Sequence, residues 1–343
     1  MKEPISIIIL NFNGKQFLSG CLSSVLAQSY DNFEIVFFDN NSTDGSIEFV
    51  KSEFEDPRIN IVKSESNLGF AGGNNEALKR CNNDLIVLLN NDTIVNELWL
   101  EELAVTMDTP GTIASSFVKT NGIPEKYYKS NGSISYLMYN IMNIFPKIED
   151  EFYPNGCSVI FRKSEIIEPF DSDYFFYGED VYLGLKARFM GMRVIFVKTS
   201  VVEHFGGGSS TGNEFKTICA ERNRFLNLYS FFSLWFIIRL MPYIIFNQAA
   251  KLLISFLSKK YSTIGLLKAY IWFYFNIPLI LKKRKELTKI KKVNQKEIIK
   301  YISSKILNDG TITAKILNNI SYFYSRLTGI KPIEYFLRNK LPL

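Results

Sequence analysis

Leu89-Asn90-Asn91-Asp92 and, far downstream, Tyr177-Gly178-Glu179-Asp180 put carboxylates and side-chain amides where chemistry can use them. The first set closes an apolar run, Asp84-Leu85-Ile86-Val87-Leu88-Leu89, which reads as a buried parallel strand ending in a polar turn. The second opens an amphipathic helical pattern. Ligands of an open α/β sheet sit outside the carboxyl ends of its strands, so a strand-end Asp is placed to hold a divalent metal against a phosphate.

The elements that must position these groups alternate in the front half. Ile5 to Leu10 reads as a strand, followed by Leu18, Cys21, Leu22 and Val25 at helical spacing. Glu34 to Asp39 reads as the next strand, with Ser42-Thr43-Asp44 opening a helix through Ile47, Val50 and Phe54. Ile59 to Val62, a glycine-rich loop at Asn67 to Asn75, a helix near Asn74 to Arg80 and the strand ending at Asn90 continue the pattern. Alternation of this kind predicts an α/β fold with a doubly wound, mainly parallel sheet and right-handed crossovers. Beyond it the expectations are a helix at Glu97 to Met107, an irregular pocket-shaping insertion at Thr120 to Tyr153, a strand at Cys157 to Arg162, a helix at Glu179 to Met190 and a strand at Arg193 to Val197. Val201 to Phe205 then leads into a flexible loop, Gly206-Gly207-Gly208. A catalytic domain over 1–227 and a helical region over 228–343 are expected.

With 343 residues, 47% hydrophobic and 15% aromatic, the chain can bury a large core and is not of disordered composition. Its formal charge of +6 hides an asymmetry: residues 1–220 carry 18 Lys/Arg against 29 Asp/Glu, or −11, while residues 221–343 carry 22 against 5, or +17. The two parts face different partners. Cys21, Cys81, Cys157 and Cys219 form no CxxC pair and no cleavable signal precedes the first strand, so a reducing cytosol without disulfides is expected. Neither GxxxxGK[ST] nor GxGxxG occurs, which disfavours an ATPase or a dehydrogenase.

Taken in order, Ser6 to Asn13 (SIIILNFN), Asp39 to Ser46 (DNNSTDGS), Asn67 to Asn74 (NLGFAGGN), Leu89 to Thr93 (LNNDT) and Gly178-Glu179-Asp180 resemble family 2 glycosyltransferases across roughly residues 4 to 227. The LLNND form is similar to rhamnosyl- and galactofuranosyltransferase-like members of bacterial surface polysaccharide synthesis. The resemblance implies a GT-A-type fold and an inverting transfer from a nucleoside diphosphate. It places Asp39 on the base or ribose, with Asn11 and Asn13 beside it and Asn67, Gly69, Asn74 and Asn91 along the donor. Read alone, these polar groups serve equally as caps of strands and helices.

The same resemblance puts Asn90-Asn91-Asp92 at the family's DxD position, with Asn90 in place of the first Asp. Asp92 is then the metal ligand for Mg²⁺ or Mn²⁺, helped by Asn90 and by His204, the only histidine. A β-turn and a structural histidine are the plain alternatives. Asp180 corresponds to the general base that takes the acceptor's proton, and Glu179 to a group that orients the acceptor or supports the base; a helix N-cap is the alternative, and both can hold. Arg222, within Glu221-Arg222-Asn223-Arg224-Phe225, corresponds to a basic stretch that contacts a diphosphate, or belongs to a solvated helix face. The QxxRW signature of processive synthases is missing, which argues for adding one or a few sugars.

The tail carries two apolar, aromatic stretches. Phe231 to Phe256 is interrupted by Arg239, Pro242 and Lys251, and Ile264 to Leu281 contains Lys268 and runs into Lys282-Lys283-Arg284-Lys285, followed by Lys289, Lys291 and Lys292. A spanning helix needs about 20 mostly apolar residues and tolerates charge poorly. Basic flanks suit an in-plane position on an anionic leaflet, so the expectation is a peripheral, monotopic enzyme at the cytoplasmic face of the plasma membrane; a soluble cap and a spanning hairpin are the alternatives. The expected partners are a UDP- or dTDP-sugar, a polyprenyl-diphosphate-linked saccharide and the anionic membrane surface, with no nucleic acid; a homo-oligomer stays open. A catalytically silent nucleotide-binding scaffold and a sugar nucleotidyltransferase are the rival readings, the latter without its glycine- and lysine-rich amino-terminal loop.

Overall fold

The computed structural model describes residues 2–122, 133–141, 151–206, 213–257, 261–306 and 311–339. Much of the irregular insertion (123–132 and 142–150), together with Gly207 and Gly208, lies outside the described residues. The chain forms two compact units: Met1–Ser130, Lys147–Leu183 and Met192–Ser210; and Asn131–Pro146, Gly184–Gly191 and Thr211–Leu343. Asn227, the expected boundary, falls inside a helix of the second unit.

The first unit begins β1 (Ile5–Asn11), α1 (Lys15–Leu26), β2 (Phe33–Asp39), α2 (Ser46–Glu53), β3 (Ile59–Lys63), α3 (Gly69–Leu78), β4 (Leu85–Asn90), β5 (Thr93–Val95), α4 (Trp99–Val105) and β6 (Thr112–Thr120). The chain continues through a small hairpin of the second unit, β7 (Ser133–Ile134) and β8 (Asn140–Ile141), then β9 (Ser158–Arg162), α5 (Glu179–Phe189) and β10 (Arg193–His204). The first turn of α5 belongs to the first unit and its remainder to the second.

The eight-stranded sheet runs β3-β2-β1-β4-β9-β6-β10-β5. β3, β2, β1 and β4 are parallel neighbours, β9 is antiparallel to both β4 and β6, β10 is parallel to β6, and β5 is an antiparallel edge. This is the expected GT-A-type α/β sheet. β1 is nearly all Ile and Leu because it is covered on both faces, with Ile7 level with Ile35 on one side and Val87 on the other. α1 buries Leu18, Cys21, Leu22 and Val25, the stripe its spacing predicts.

Three elements differ from the sequence reading. The glycine-rich segment is not an open loop: α3 starts at Gly69 and runs through it. Its glycines permit close packing, since a Cβ on Gly73 would stand 2.6 Å from Leu10 Cδ1. The strand expected at Cys157 to Arg162 is present as β9 but antiparallel. β10 extends to His204 through a register irregularity between Val197 and Val201, where the Ser200 hydroxyl donates to the Trp99 carbonyl at 3.0 Å.

The second unit is mainly helical, with α6 (Asn213–Phe231), α7 (Leu234–Leu257), α8 (Thr263–Phe275), α9 (Ile277–Ile290), α10 (Gln295–Ile299), α11 (Ile312–Leu327) and α12 (Ile333–Arg338). α6 packs on α8 and α9, its Phe225 and Tyr229 rings meeting Phe273 of α8 at 5.1 and 4.6 Å. A buried ionic group joins α6 to α7: Glu221 accepts from Arg224 at 2.7 Å and from Lys251. Burial pushes the Glu221 carboxyl up, but the two cations outweigh it and hold it below its usual range.

Candidate active site

β1 is the strand from which the chain first winds outward to β2 and β3 and then returns to the other side with β4. That reversal places the crevice of an open sheet beyond the carboxyl ends of β1 and β4. The polar residues gather there.

Asp39, fully buried at the end of β2, accepts from Asn11 Nδ2 at 3.0 Å and from the Ser42 amide at 2.9 Å. Asn11 in turn accepts from Asn91 Nδ2 at 2.6 Å, which links the ends of β1, β2 and β4. Asn13, in the left-handed region at φ +50°, accepts from the Thr43 amide at 2.8 Å, and its own amide donates to Ser42 Oγ at 3.0 Å. Gly14 makes room for the set, since a Cβ there would lie 2.1 Å from Asn91 Nδ2. A carboxylate has about four lone-pair sites, and the two protein donors to Asp39 leave acceptor capacity for a ligand hydroxyl or N–H.

The next residue along the same turn serves a second cluster. Asp92 Oδ1 is 3.2 Å from His204 Nε2, and the Phe205 amide donates to the Asp92 carbonyl at 2.9 Å. The extension of β10 therefore brings His204 to Asp92, across more than a hundred residues of chain. Phe205 stacks on Phe17 of α1 with centroids 5.7 Å apart, pinning this corner. Asn90 is the last residue of β4; its amide donates to the Cys157 carbonyl at 2.9 Å and its carbonyl accepts from Thr93 Oγ1 at 2.6 Å.

Among the described residues no group of three or more His, Cys, Asp and Glu is assembled for a metal. One carboxylate and one imidazole nevertheless fit a divalent ion that completes its shell with diphosphate oxygens and water. Asp92 and His204 are the pair that would hold it.

Asn67 and Gly69 stand at the start of α3. Asn40 Nδ2 donates to Asn67 Oδ1 at 3.0 Å and to the Gly69 carbonyl at 3.1 Å, and Asn40 Oδ1 accepts from the Leu68 amide at 2.9 Å. Gly69 has φ +71°, and a Cβ there would lie 2.4 Å from the Phe175 carbonyl oxygen. Asn74 is buried and donates to Phe70 O of its own helix at 2.9 Å. These residues shape the start of α3. Asn40 and Ser42 were not singled out as site residues from sequence, although the amide- and hydroxyl-rich run Asp39-Asn40-Asn41-Ser42-Thr43 was the available signal.

Glu179 and Asp180 open α5 after a turn in which Phe175, Tyr177 and Gly178 have φ of +54°, +68° and +80°. Non-glycine residues held there mark stored strain, which clusters at functional sites. Glu179 is buried, and its Oε2 has no hydrogen-bond partner among the described residues. Burial, then the neighbouring Asp180 charge, pushes its carboxyl well above the usual range. Burial also raises Asp180, against the Val181 amide that donates to its Oδ1 at 2.7 Å. A carboxylate with a raised pKa at a strained turn has the properties of a general base. Arg222 lies on α6 of the second unit, its Nε donating to Asn223 Oδ1 at 3.0 Å and its guanidinium 5.4 Å from the Trp272 ring.

Comparison with known proteins bears on this arrangement. The profile described as Glycosyl transferase family 2 matches residues 6–166. A beta-1,3-glucosyltransferase of Escherichia coli, WfgD, whose full name specifies UDP-Glc and alpha-D-GlcNAc-diphosphoundecaprenol, is 30% identical over 189 residues, 53% of this chain and 68% of that protein. The chain belongs to glycosyltransferase family 2. The match to the family 2 profile takes in the clusters around Asp39 and Asp92, while Glu179, Asp180, His204 and Arg222 follow it in sequence. Of other curated relatives the chain spans 17% to 62%.

Solved structures extend the likeness of fold. The mannosyltransferase PcManGT from Pyrobaculum calidifontis, in complex with GDP-Man and Mn²⁺, is similar at a TM-score of 0.52 and 15% identity, covering 96% of this chain and 84% of that one. TarS of S. aureus in complex with UDP-GlcNAc is similar at 0.51 and 16%, covering 98% and 92%. At such identities these structures show the GT-A-like fold alone.

Proposed function

We propose that this glycosyltransferase adds one or a few hexose or deoxyhexose units, with inversion, from a UDP- or dTDP-sugar to a polyprenyl-diphosphate-linked saccharide in surface polysaccharide synthesis. The observation that carries it is the turn after β4. Asn91 reaches the Asn11–Asp39 pocket while the next residue, Asp92, reaches His204, so one turn ties a base- or ribose-binding group to a metal-binding pair. That adjacency matches a nucleoside joined to a diphosphate.

Asp39 and Asn11 hold the nucleoside, and Asn91 fixes their orientation. Asp92 and His204, beside Asn90, would hold Mg²⁺ or Mn²⁺, which would neutralise charge on the diphosphate. Asp180 takes the proton of the acceptor hydroxyl as its oxygen attacks the anomeric carbon, and Glu179 holds the base in place. The lipid-linked acceptor is supported by the acceptor in WfgD's name, and the metal by the Mn²⁺ in the PcManGT structure.

The second unit attaches the enzyme to the cytoplasmic face of the membrane. α7 is long and apolar enough to cross a bilayer, and α8 with α9 passes the same test as a pair bent by 68°. Yet α7 buries Phe236, Ile237, Leu240, Ile244 and Lys251 while exposing Trp235, Ile238, Ile245 and Phe246. A helix committed to protein on one side favours lying in the interface.

The test is turnover of a panel of UDP-, dTDP- and GDP-sugars by the purified protein with a polyprenyl-diphosphate-saccharide, with Mn²⁺, with Mg²⁺ and with EDTA. Acceptor-dependent nucleotide release from one donor, abolished by EDTA, is expected. Selective donor binding without turnover on any acceptor would instead identify a nucleotide-binding scaffold.

A further inference from the structure

Helix α11 is turned inside out for a helix in water. Among its described side chains those it buries are Ala314, Ser321 and Ser325, and half-buried Asn318 accepts from the Ile306 amide at 2.7 Å. Ser321 donates to the Ser304 carbonyl, and Ser325 to Tyr322 O at 2.6 Å. Its solvent side carries Ile312, Ile316, Ile320, Phe323 and Leu327, spaced four, four, three and four apart. Their exposures run from 55% at Ile316 to 77% at Ile312. That spacing makes one continuous apolar stripe along the helix. The thermodynamic preference in water is the reverse arrangement, and contiguous exposed apolar surface marks an interaction site.

We propose that α11 is an in-plane membrane helix whose stripe inserts into the apolar boundary of an anionic leaflet. This rests on the membrane attachment proposed above and adds to it an element that the sequence reading did not single out within the tail. Three observations select lipid. At 16 residues α11 falls short of the roughly 20 needed to span, and its polar side is committed to protein contacts, so it lies along a surface. Lys315 and Arg326 are exposed on the helix that carries the stripe, and α11 contains no acidic residue. Two copies docked stripe to stripe would set these cations against one another, whereas acidic headgroups neutralise them. Finally, α11 is fixed to a second helix with an exposed apolar side: the Tyr324 hydroxyl donates to the Arg239 carbonyl of α7 at 2.6 Å, and the Tyr324 and Tyr243 rings lie 5.0 Å apart.

The experiment is flotation of the full chain with phosphatidylglycerol–phosphatidylcholine vesicles, comparing the parent with Ile316→Ser/Phe323→Ser. Both substituted positions are exposed, so the variant keeps its helical circular dichroism and thermal midpoint. The expected result is a fall in partitioning of at least about tenfold, since two large apolar side chains are removed from the membrane boundary. In a second variant, Phe323→Trp, the added indole emission shifts to the blue on vesicles and is quenched by brominated lipid. Parent and double variant floating equally, with the added indole of Phe323→Trp left unquenched, would overturn the role of α11 and leave the membrane attachment standing. A parent that does not float overturns both. Unchanged flotation together with a halved solution mass of the double variant would assign the stripe to a second copy of the chain.

Discussion

At the residue scale the strongest chemical statement belongs to Glu179 and Asp180. Their carboxyls are raised by burial, so the folded protein binds protons more tightly than the unfolded chain above the ordinary carboxylate range. Stability is therefore lost as pH rises through that window. Glu179→Gln removes a large part of the loss: its urea midpoint equals or falls below the parent's in acid and exceeds it at alkaline pH, which chemical denaturation across pH measures. Asp180→Asn is expected to fold and to keep donor affinity while transfer falls by about two to four orders of magnitude. Normal turnover in that variant would remove Asp180 from the base role. Asp92→Asn and His204→Ala should each raise the Mn²⁺ concentration for half-maximal turnover, an effect visible in a metal titration and absent if the pair is only structural.

At the scale of elements, the glycines separate two kinds of constraint. The Cβ of Gly14→Ala meets the movable end of Asn91, whereas that of Gly69→Ala meets the Phe175 backbone at a positive φ. Gly14→Ala should keep its thermal midpoint but weaken donor binding, and Gly69→Ala should lower the midpoint outright; calorimetry and a nucleotide titration distinguish them. α6 and α7 supply another case. Glu221→Ala leaves Arg224 and Lys251 facing each other without their shared anion and should cost about 3–5 kcal/mol, measured by urea unfolding. The βα alternation, the stripe of α1 and the strand ending at Asn90 were legible in sequence because periodicity reports which faces are covered. The helical state of the glycine-rich segment was not, because glycine composition signals turns while the close approach of Leu10 that makes glycine useful in α3 is a tertiary fact.

For the whole molecule, the charge division is −11 over residues 1–220 and +17 over residues 221–343. Under the proposed membrane attachment, vesicle binding should weaken with salt as the lysines are screened, yet persist at high ionic strength through the apolar stripes. Binding that vanishes with salt would reduce the attachment to electrostatics alone.

The sequence by itself determined the alternating α/β architecture, the family resemblance and the carboxylates worth testing, because each is written in local spacing or in a short ordered block. The resemblance anticipated His204 beside Asp92, and the structure brings them together; tertiary structure alone decided that Asn91 reaches Asn11 and that α11 turns its apolar side outward. An amphipathic pattern says that a helix has two unlike faces. Which face is covered depends on what the rest of the chain offers it, here Ser304 and the backbone of Ile306 in place of a hydrophobic core.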